Sequence, residues 1–320
     1  MNNSLNSHFI KLSSDKTPVT LYKPIEYILL QEGKRIRPKL VMLATELFEG
    51  DPKAAFFAAA GFEMLHNFTL IHDDIMDNAP IRRGKETVYK KWNANIAILS
   101  GDALATMALE EILKTPTDSE TVLKLISLFA RTSIEICEGQ QYDLNFETTE
   151  NVTIAEYLEM IRLKTAVMLA ACLKAGAIIS QTTMDNQNNI YQFGINLGIA
   201  FQLMDDLLDV YSDKNIFGKE IGGDIESNKK TYLYLRAIQD GTDSQRQILK
   251  QQFASPEKKE KEKFFTVKGL FDDLDIKTKT ENLIQEYIEK AYSSLDKITV
   301  ASEKKGELIE MTAYLCKRNK

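Results

Sequence analysis

Hydrophobic positions along this chain recur with the period of an α-helix. In residues 101–114, GDALATMALEEILK, the side chains of Leu104, Met107, Ala108 and Ile112 fall on one stripe, with Glu110, Glu111 and Lys114 outside it. Residues 155–180 are small or aliphatic nearly all round, the pattern of a helix buried on every side, and 186–212 reads as another long apolar helix with polar flanks. Bounded runs of alternating β-branched residues, the mark of strands, are scarce. Three stretches read as loops: 78–87 (NAPIRRGKET), 213–230 with its three glycines, and the charge run 255–263 (SPEKKEKEK). With no repeat of fixed period and no Pro/Ser-rich linker, the expectation is one all-α domain over residues 1–320, a bundle of roughly ten or more helices.

Composition supports that picture. Fifteen glycines and seven prolines in 320 residues are few against the roughly 12% of average usage, so the elements should be long and unbroken. A net charge of −6 and a pI of about 5.4 give no reason to expect nucleic acid as a partner. Cys137, Cys172 and Cys316 lie far apart without metal-ligand spacing, which suits a reducing compartment. The first residues lack the apolar core of a secretory signal, and no stretch reads as an integral membrane span, so a cytoplasmic location is expected.

The chemistry concentrates in two acidic clusters: Asp73, Asp74 and Asp77 in HDDIMD, and Asp205, Asp206 and Asp209 in MDDLLD. Each sets carboxylates at i, i+1 and i+4 on a helix, where i and i+4 stack one turn apart and repel. A divalent cation removes the conflict, and hard oxygen ligands suit magnesium, which takes one or two carboxylates and completes its shell with water and phosphate oxygens. Separate basic groups accompany the acids: Lys34, Arg35 and Arg37 in GKRIRP, the pair Arg82-Arg83, Lys164-Thr165 inside an apolar helix, and Lys219 and Lys229 around the glycine-rich stretch. A charged amine inside an apolar helix is costly unless partnered, and arginine forks and lysine point charges both bind phosphate oxygens. Metal on a diphosphate makes it a good leaving group. An allylic diphosphate so held can ionise to a resonance-stabilised cation, to which the alkene of a second, metal-free diphosphate adds before a proton is lost.

From GKRIRP to the terminal KRNK, the chain resembles the trans-prenyl diphosphate synthases of the farnesyl/geranylgeranyl type, with HDDIMDNAPIRRGKETVYKKW, AILSGDALA, FQLMDDLLD and FGKEIGGD in the family's order. The resemblance implies the all-α isoprenoid synthase type I fold with a central cavity, usually as a homodimer, and about three Mg2+ ions. By motif, it implies that Asp73 and Asp77 bind magnesium with Asp74 assisting, that Asp205 binds an ion on the opposite wall, and that Asp206 and Asp209 complete that set. It gives Lys34, Arg37, His66 and Arg83 to isopentenyl diphosphate, and Arg82, Lys164, Thr165, Gln202, Lys219 and Lys229 to the allylic diphosphate. It also makes the departing diphosphate itself the base, so no side chain is assigned that role. Arg318 and Lys320 resemble a tail that closes over the isopentenyl site, against the plainer reading of a frayed terminus.

Glu32 stands where many members have Gly, and IESNKKTYL replaces a common Gly and lacks the usual Pro after Thr231, which makes Lys229 a weaker match than Lys219. Phe68, five residues and about 7.5 Å along the helix before Asp73, is the aromatic that in the family accompanies a short product, although Thr69 shares the face of Asp73 better. Geranylgeranyl diphosphate is favoured over farnesyl diphosphate. His66 lies two turns before Asp73, and His72 is expected to pack or support the aspartates. A class I terpene cyclase shares one DDxxD helix but lacks the isopentenyl-binding set, an HD-type phosphohydrolase needs more histidines than the three present, and a non-catalytic partner subunit usually loses the aspartate motifs.

Overall fold

The computed structural model describes residues 1–212, 222–254 and 260–316. The described chain is helical apart from one two-stranded hairpin. In order it runs α1 (Asn2–Ser13), α2 (Val19–Leu29), α3 (Ile36–Leu47), α4 (Phe56–Met76), β1 (Ile81–Arg82), β2 (Lys85–Glu86), α5 (Val88–Lys91), α6 (Ala94–Leu113), α7 (Ser119–Thr148) and α8 (Ile154–Ile161). A π-helical turn (Arg162–Ala166) leads into α9 (Val167–Ile179), followed by α10 (Met184–Tyr211), α11 (Gly223–Glu226), α12 (Tyr232–Asp240), α13 (Asp243–Ala254), α14 (Glu260–Asp273), α15 (Ile276–Asp296) and α16 (Gly306–Cys316). Among the described residues no helix is long and apolar enough to cross a membrane.

Contacts divide the chain into two compact units, Met1–Ser133 with Ala171–Gln187, and Ile134–Ala170 with Asn188–Lys320. In the first, α4 is the central element. Twelve of its residues are buried, among them Phe62, Met64, Leu65 and Ile71, and Phe62 packs on Phe129 with ring centroids 5.9 Å apart. In the second, residues 166–170 and the apolar face of α10 beyond Asn188 are buried, with Ala166, Val167, Ala170, Phe193, Leu197, Ala200 and Leu203 sealed from solvent. Capping marks some of the boundaries: Asn93 accepts from the Ile96 amide at the start of α6, and Thr153 with Glu156 forms a capping box at the start of α8.

Three expectations about local structure need correction. Residues 78–87 hold a hairpin in register Ile81↔Glu86 and Arg82↔Lys85, because Arg83 (φ 53°) and Gly84 (φ 72°) both adopt the left-handed conformation that a two-residue hairpin turn requires. The helix expected over 155–180 is interrupted by the π-turn, which accommodates an extra residue. The charge run is part helix, since α14 begins at Glu260; Lys219, Arg318 and Lys320 lie outside the described residues.

Candidate active site

The first unit gathers cations around α4. Arg35, the left-handed residue before α3 (φ 48°), is buried. It donates to Glu63 Oε1 at 2.6 Å and to the carbonyls of Leu29 and Gln31 at 2.5 and 3.1 Å. Arg82 donates through Nε to Asp74 Oδ1 at 2.6 Å. Two of the four guanidiniums are thus committed to carboxylates. Arg37 and Arg83 share the field of Glu63: burial lowers the proton affinity of each guanidinium, and the Glu63 charge acts against that. Arg37 Nε is buried without a hydrogen-bond partner, an orphaned donor of the kind an anion would satisfy. The Arg83 side chain lies over Gly33, whose added Cβ would stand 3.1 Å from its Nη1.

His66 sits in the same group, and its imidazole is held well below the ordinary histidine value. Burial is the first cause, followed by the charges of Arg37, Arg83, Arg82 and Arg35. Lys34 is exposed on the segment entering α3. The predicted set of Arg37, His66 and Arg83 therefore shares one electrostatic neighbourhood, with an excess of positive charge.

Asp73, Asp74 and Asp77 stand in the last turn of α4, Asp77 as its C-cap, with no basic residue in that turn. A helix C-terminus carries negative partial charge, so the carboxylates repel the dipole as well as each other, and a cation relieves both. The three are not equivalent. Asp74 is fully buried against Arg82, its carboxyl raised by desolvation against the pull of that guanidinium, while Asp73 is half-buried and Asp77 exposed. His72 packs edge-on to Phe68 at 4.7 Å, its Nε2 lying 3.3 Å from the Ile98 carbonyl oxygen and 3.7 Å from Asp102. Thr69 Oγ1 donates to the His66 carbonyl at 2.8 Å.

The second unit repeats the theme. Asp205, Asp206 and Asp209 lie near the C-terminal end of α10, again with no basic residue in its last turn. Asp206 is buried and accepts from the Tyr157 hydroxyl and from Gln202 Nε2 at 3.0 Å. Burial, then the Asp224 charge, raises its carboxyl well above the usual range. Thr165 Oγ1 donates to Gln202 Oε1 at 3.0 Å, and Lys164 Nζ donates to Asp143 at 2.5 Å. Lys164 and Thr165 occupy the π-turn, packed so closely on α7 that a Cβ at Gly139 would come 2.3 Å from the Lys164 nitrogen. Asp209 Oδ2 accepts from the Asp224 amide at 3.0 Å, and Lys229 Nζ lies 3.9 Å from Asp224.

Glu63, Asp143, Tyr157 and Asp224 are additions to the residues read from the sequence. Glu63 was visible there as a carboxylate inside an apolar helix, which demands a partner without naming it. Among the described residues no three His, Cys, Asp or Glu side chains converge on a closed metal cage.

Residues 18–269 match the polyprenyl synthetase family profile. The chain belongs to the polyprenyl synthetase family. It is 35% identical over 315 residues to a geranylgeranyl pyrophosphate synthase of Geoglobus acetivorans, covering 98% of this chain and 96% of that one. Among solved structures it resembles a geranylgeranyl pyrophosphate synthase at 42% identity and TM-score 0.92, covering 100% of this chain and 99% of the other. It also resembles a polyprenyl synthase of Caulobacter crescentus complexed with calcium and isoprenyl diphosphate, at 28% identity and TM-score 0.87 over 98% and 94%. The all-α architecture of this polyprenyl synthetase is thus that of the isoprenoid synthases.

Proposed function

We propose that this chain is a magnesium-dependent prenyltransferase that condenses isopentenyl diphosphate with allylic diphosphates, releasing inorganic diphosphate and extending the chain to geranylgeranyl diphosphate. The observations that carry this are an acidic helix end in each unit, at Asp73–Asp77 and at Asp205–Asp209, and, in the first unit, a cluster in which guanidiniums outnumber their carboxylates. Acid at a helix C-terminus calls for a metal, and surplus arginine calls for an anion.

Asp73, Asp77 and Asp205 would hold the magnesium, about three ions in all, and bound magnesium would supply charge neutralisation for the departing diphosphate. Asp74, tied to Arg82, and Asp206, tied to Tyr157 and Gln202, keep the acidic helix ends in place. Asp209 fixes the turn at Asp224. Lys34, Arg37, His66 and Arg83 would orient isopentenyl diphosphate. Neutral His66 adds a ring N–H or lone pair without adding to the crowd of charges. Arg82, Lys164, Thr165, Gln202 and Lys229, with Lys219, would take the allylic diphosphate, and Phe68 with Thr69 would limit product length. Residues 1–320 would work as one catalytic domain in a cytoplasmic homodimer.

The test is to supply isopentenyl diphosphate with dimethylallyl, geranyl or farnesyl diphosphate, with magnesium or with a chelator, and to size the products. Linear diphosphates ending at twenty carbons, only with magnesium, are expected; no elongation, or cyclised hydrocarbon, rejects the proposal. Phe68→Ala should lengthen the products, and an unchanged spectrum removes Phe68 as the floor.

A further inference from the structure

Residues 222–231, GGDIESNKKT, carry Asp224 and Lys229 yet contain a single turn of helix, so other contacts must fix their course. Gly222 (φ 91°) begins the segment, and an added Cβ there would come 2.4 Å from the Phe264 ring. Its amide donates to the Asp209 carbonyl at 2.8 Å. At the other end Lys230 donates to the carbonyls of Phe146 and Thr149 at 2.6 and 2.7 Å, closing the C-terminus of α7.

Between these anchors lies Asn228. Its backbone is left-handed (φ 59°), the turn that follows α11, and the next amide, that of Lys229, returns to the Asp224 carbonyl at 2.9 Å. Asparagine takes this conformation more readily than most non-glycine residues. Its side chain has a second task, since Oδ1 accepts from Lys263 Nζ at 2.5 Å. Lys263, on α14, is only 6% exposed, with its ammonium 5.2 Å from the centroid of the Phe253 ring. An ammonium held so far from water loses hydration that a neutral amide repays only in part. What the contact supplies is position: a buried, ordered donor pins the residue whose backbone turn aims Lys229.

We infer that Lys263 and Asn228 form a positioning latch for Lys229, setting how that lysine meets the allylic diphosphate. The inference rests on the reading of Lys229 as an allylic-diphosphate ligand. Neither Lys263 nor Asn228 is a catalytic residue. A glycine at position 228 would keep the left-handed turn but lack the amide that accepts from Lys263.

Steady-state kinetics in each substrate tests it, with thermal unfolding measured in parallel. Asn228→Gly keeps the left-handed backbone and deletes the acceptor. Lys263→Met keeps most of the stem and deletes the donor. Each should raise the KM for the allylic diphosphate roughly fivefold to tenfold, leaving the KM for isopentenyl diphosphate and kcat within about twofold. The double variant should be no worse than either single one, and Asn228→Asp, which keeps an acceptor, should hold the parental allylic KM.

Lys229→Ala is the reference. If it leaves the allylic KM unchanged, the ligand role of Lys229 falls. If it raises that KM while Asn228→Gly and Lys263→Met do not, or if those two lower kcat and both affinities together with stability, the latch falls. Should Lys263→Met not fold, Lys263→Arg carries the test, since it keeps a donor but displaces it; an unaltered allylic KM there also rejects the latch.

Discussion

Replacing Glu63 by Gln should weaken the fold while strengthening its grip on anions, two effects of opposite sign from one lost charge. Glu63 is 2% exposed and accepts from Arg35 at 2.6 Å and from Asn67 Nδ2 at 3.3 Å. Glutamine keeps the shape and an oxygen for Arg35, but leaves that buried guanidinium without its counter-charge. Removing one partner of a buried ion pair costs about 3–5 kcal/mol, and the retained acceptor puts this variant near about 3 kcal/mol. Against a net stability of about 5–15 kcal/mol, that is a large fraction. In a chain of 320 residues it should lower Tm by about 4–5 °C.

The same charge also offsets Arg37 and Arg83. A unit charge about 7 Å from an anion, at an effective dielectric constant of about 20, is worth about 2 kcal/mol, so diphosphate should bind roughly tenfold tighter or better in the variant. Thermal unfolding with and without inorganic diphosphate, in metal-free buffer, reads both effects, because a ligand that binds only the folded state stabilises it by RT times the logarithm of one plus its concentration over Kd, and so raises Tm. A variant as stable as the parent, or one whose diphosphate-induced rise in Tm is no larger, would refute Glu63 as the counter-charge of the cluster.

Other perturbations follow from the same structure. His66 is kept neutral by burial and four neighbouring arginines; its folded value lies below the unfolded value near 6.5, so the unfolded chain takes up a proton first, and stability present above about pH 6.5 should be lost as pH falls toward the folded value. Scanning Tm from about pH 7.5 to about pH 5 should show His66→Gln with a shallower acid-side loss than the parent, and parallel profiles would count against this. Gly139→Ala drives a Cβ to 2.3 Å from the Lys164 backbone nitrogen, which should cost about 1–3 kcal/mol in denaturant unfolding and raise the allylic KM, with full tolerance as the contrary result. Tyr157→Phe removes the hydroxyl that binds Asp206; a stability loss of about 1–3 kcal/mol and a higher magnesium requirement for half-maximal rate are expected, and an unmoved magnesium curve would detach Tyr157 from the proposed metal site at the end of α10.

Much of this was legible in the sequence because it is periodic. The helices around 101–114 and 186–212 announce themselves by their apolar stripes, and the two acidic clusters by their spacing. The π-turn was not legible, since it coincides with the close approach of α7 at Gly139, a contact between segments more than twenty residues apart. Nor was the hairpin at 81–86, although Gly84 after Arg83 is a turn signal; an arginine in the left-handed region is uncommon enough that the pattern reads as plain loop. Lys164 showed that it needed a partner, but only the fold names Asp143.

The aspartate spacing carries more information than a count of carboxylates. On a helix the residue at i+1 points about 100° away from the one at i, while i+4 returns nearly to the same face. Both clusters use that difference in the same way. The middle acid turns inward, Asp74 to Arg82 and Asp206 to Tyr157 and Gln202, and is buried. The flanking acids remain at least partly exposed at a helix end whose dipole disfavours them. The middle carboxylate is therefore built as a strut, hydrogen-bonded by Arg82 in one unit and by Tyr157 and Gln202 in the other, and the partly exposed outer acids Asp73, Asp77 and Asp205 are the ones proposed to meet a cation, while Asp209 accepts from the Asp224 amide. Two units of different sequence reaching this division of labour separately is difficult to explain by solvation of an acidic turn, which has no use for a buried middle residue.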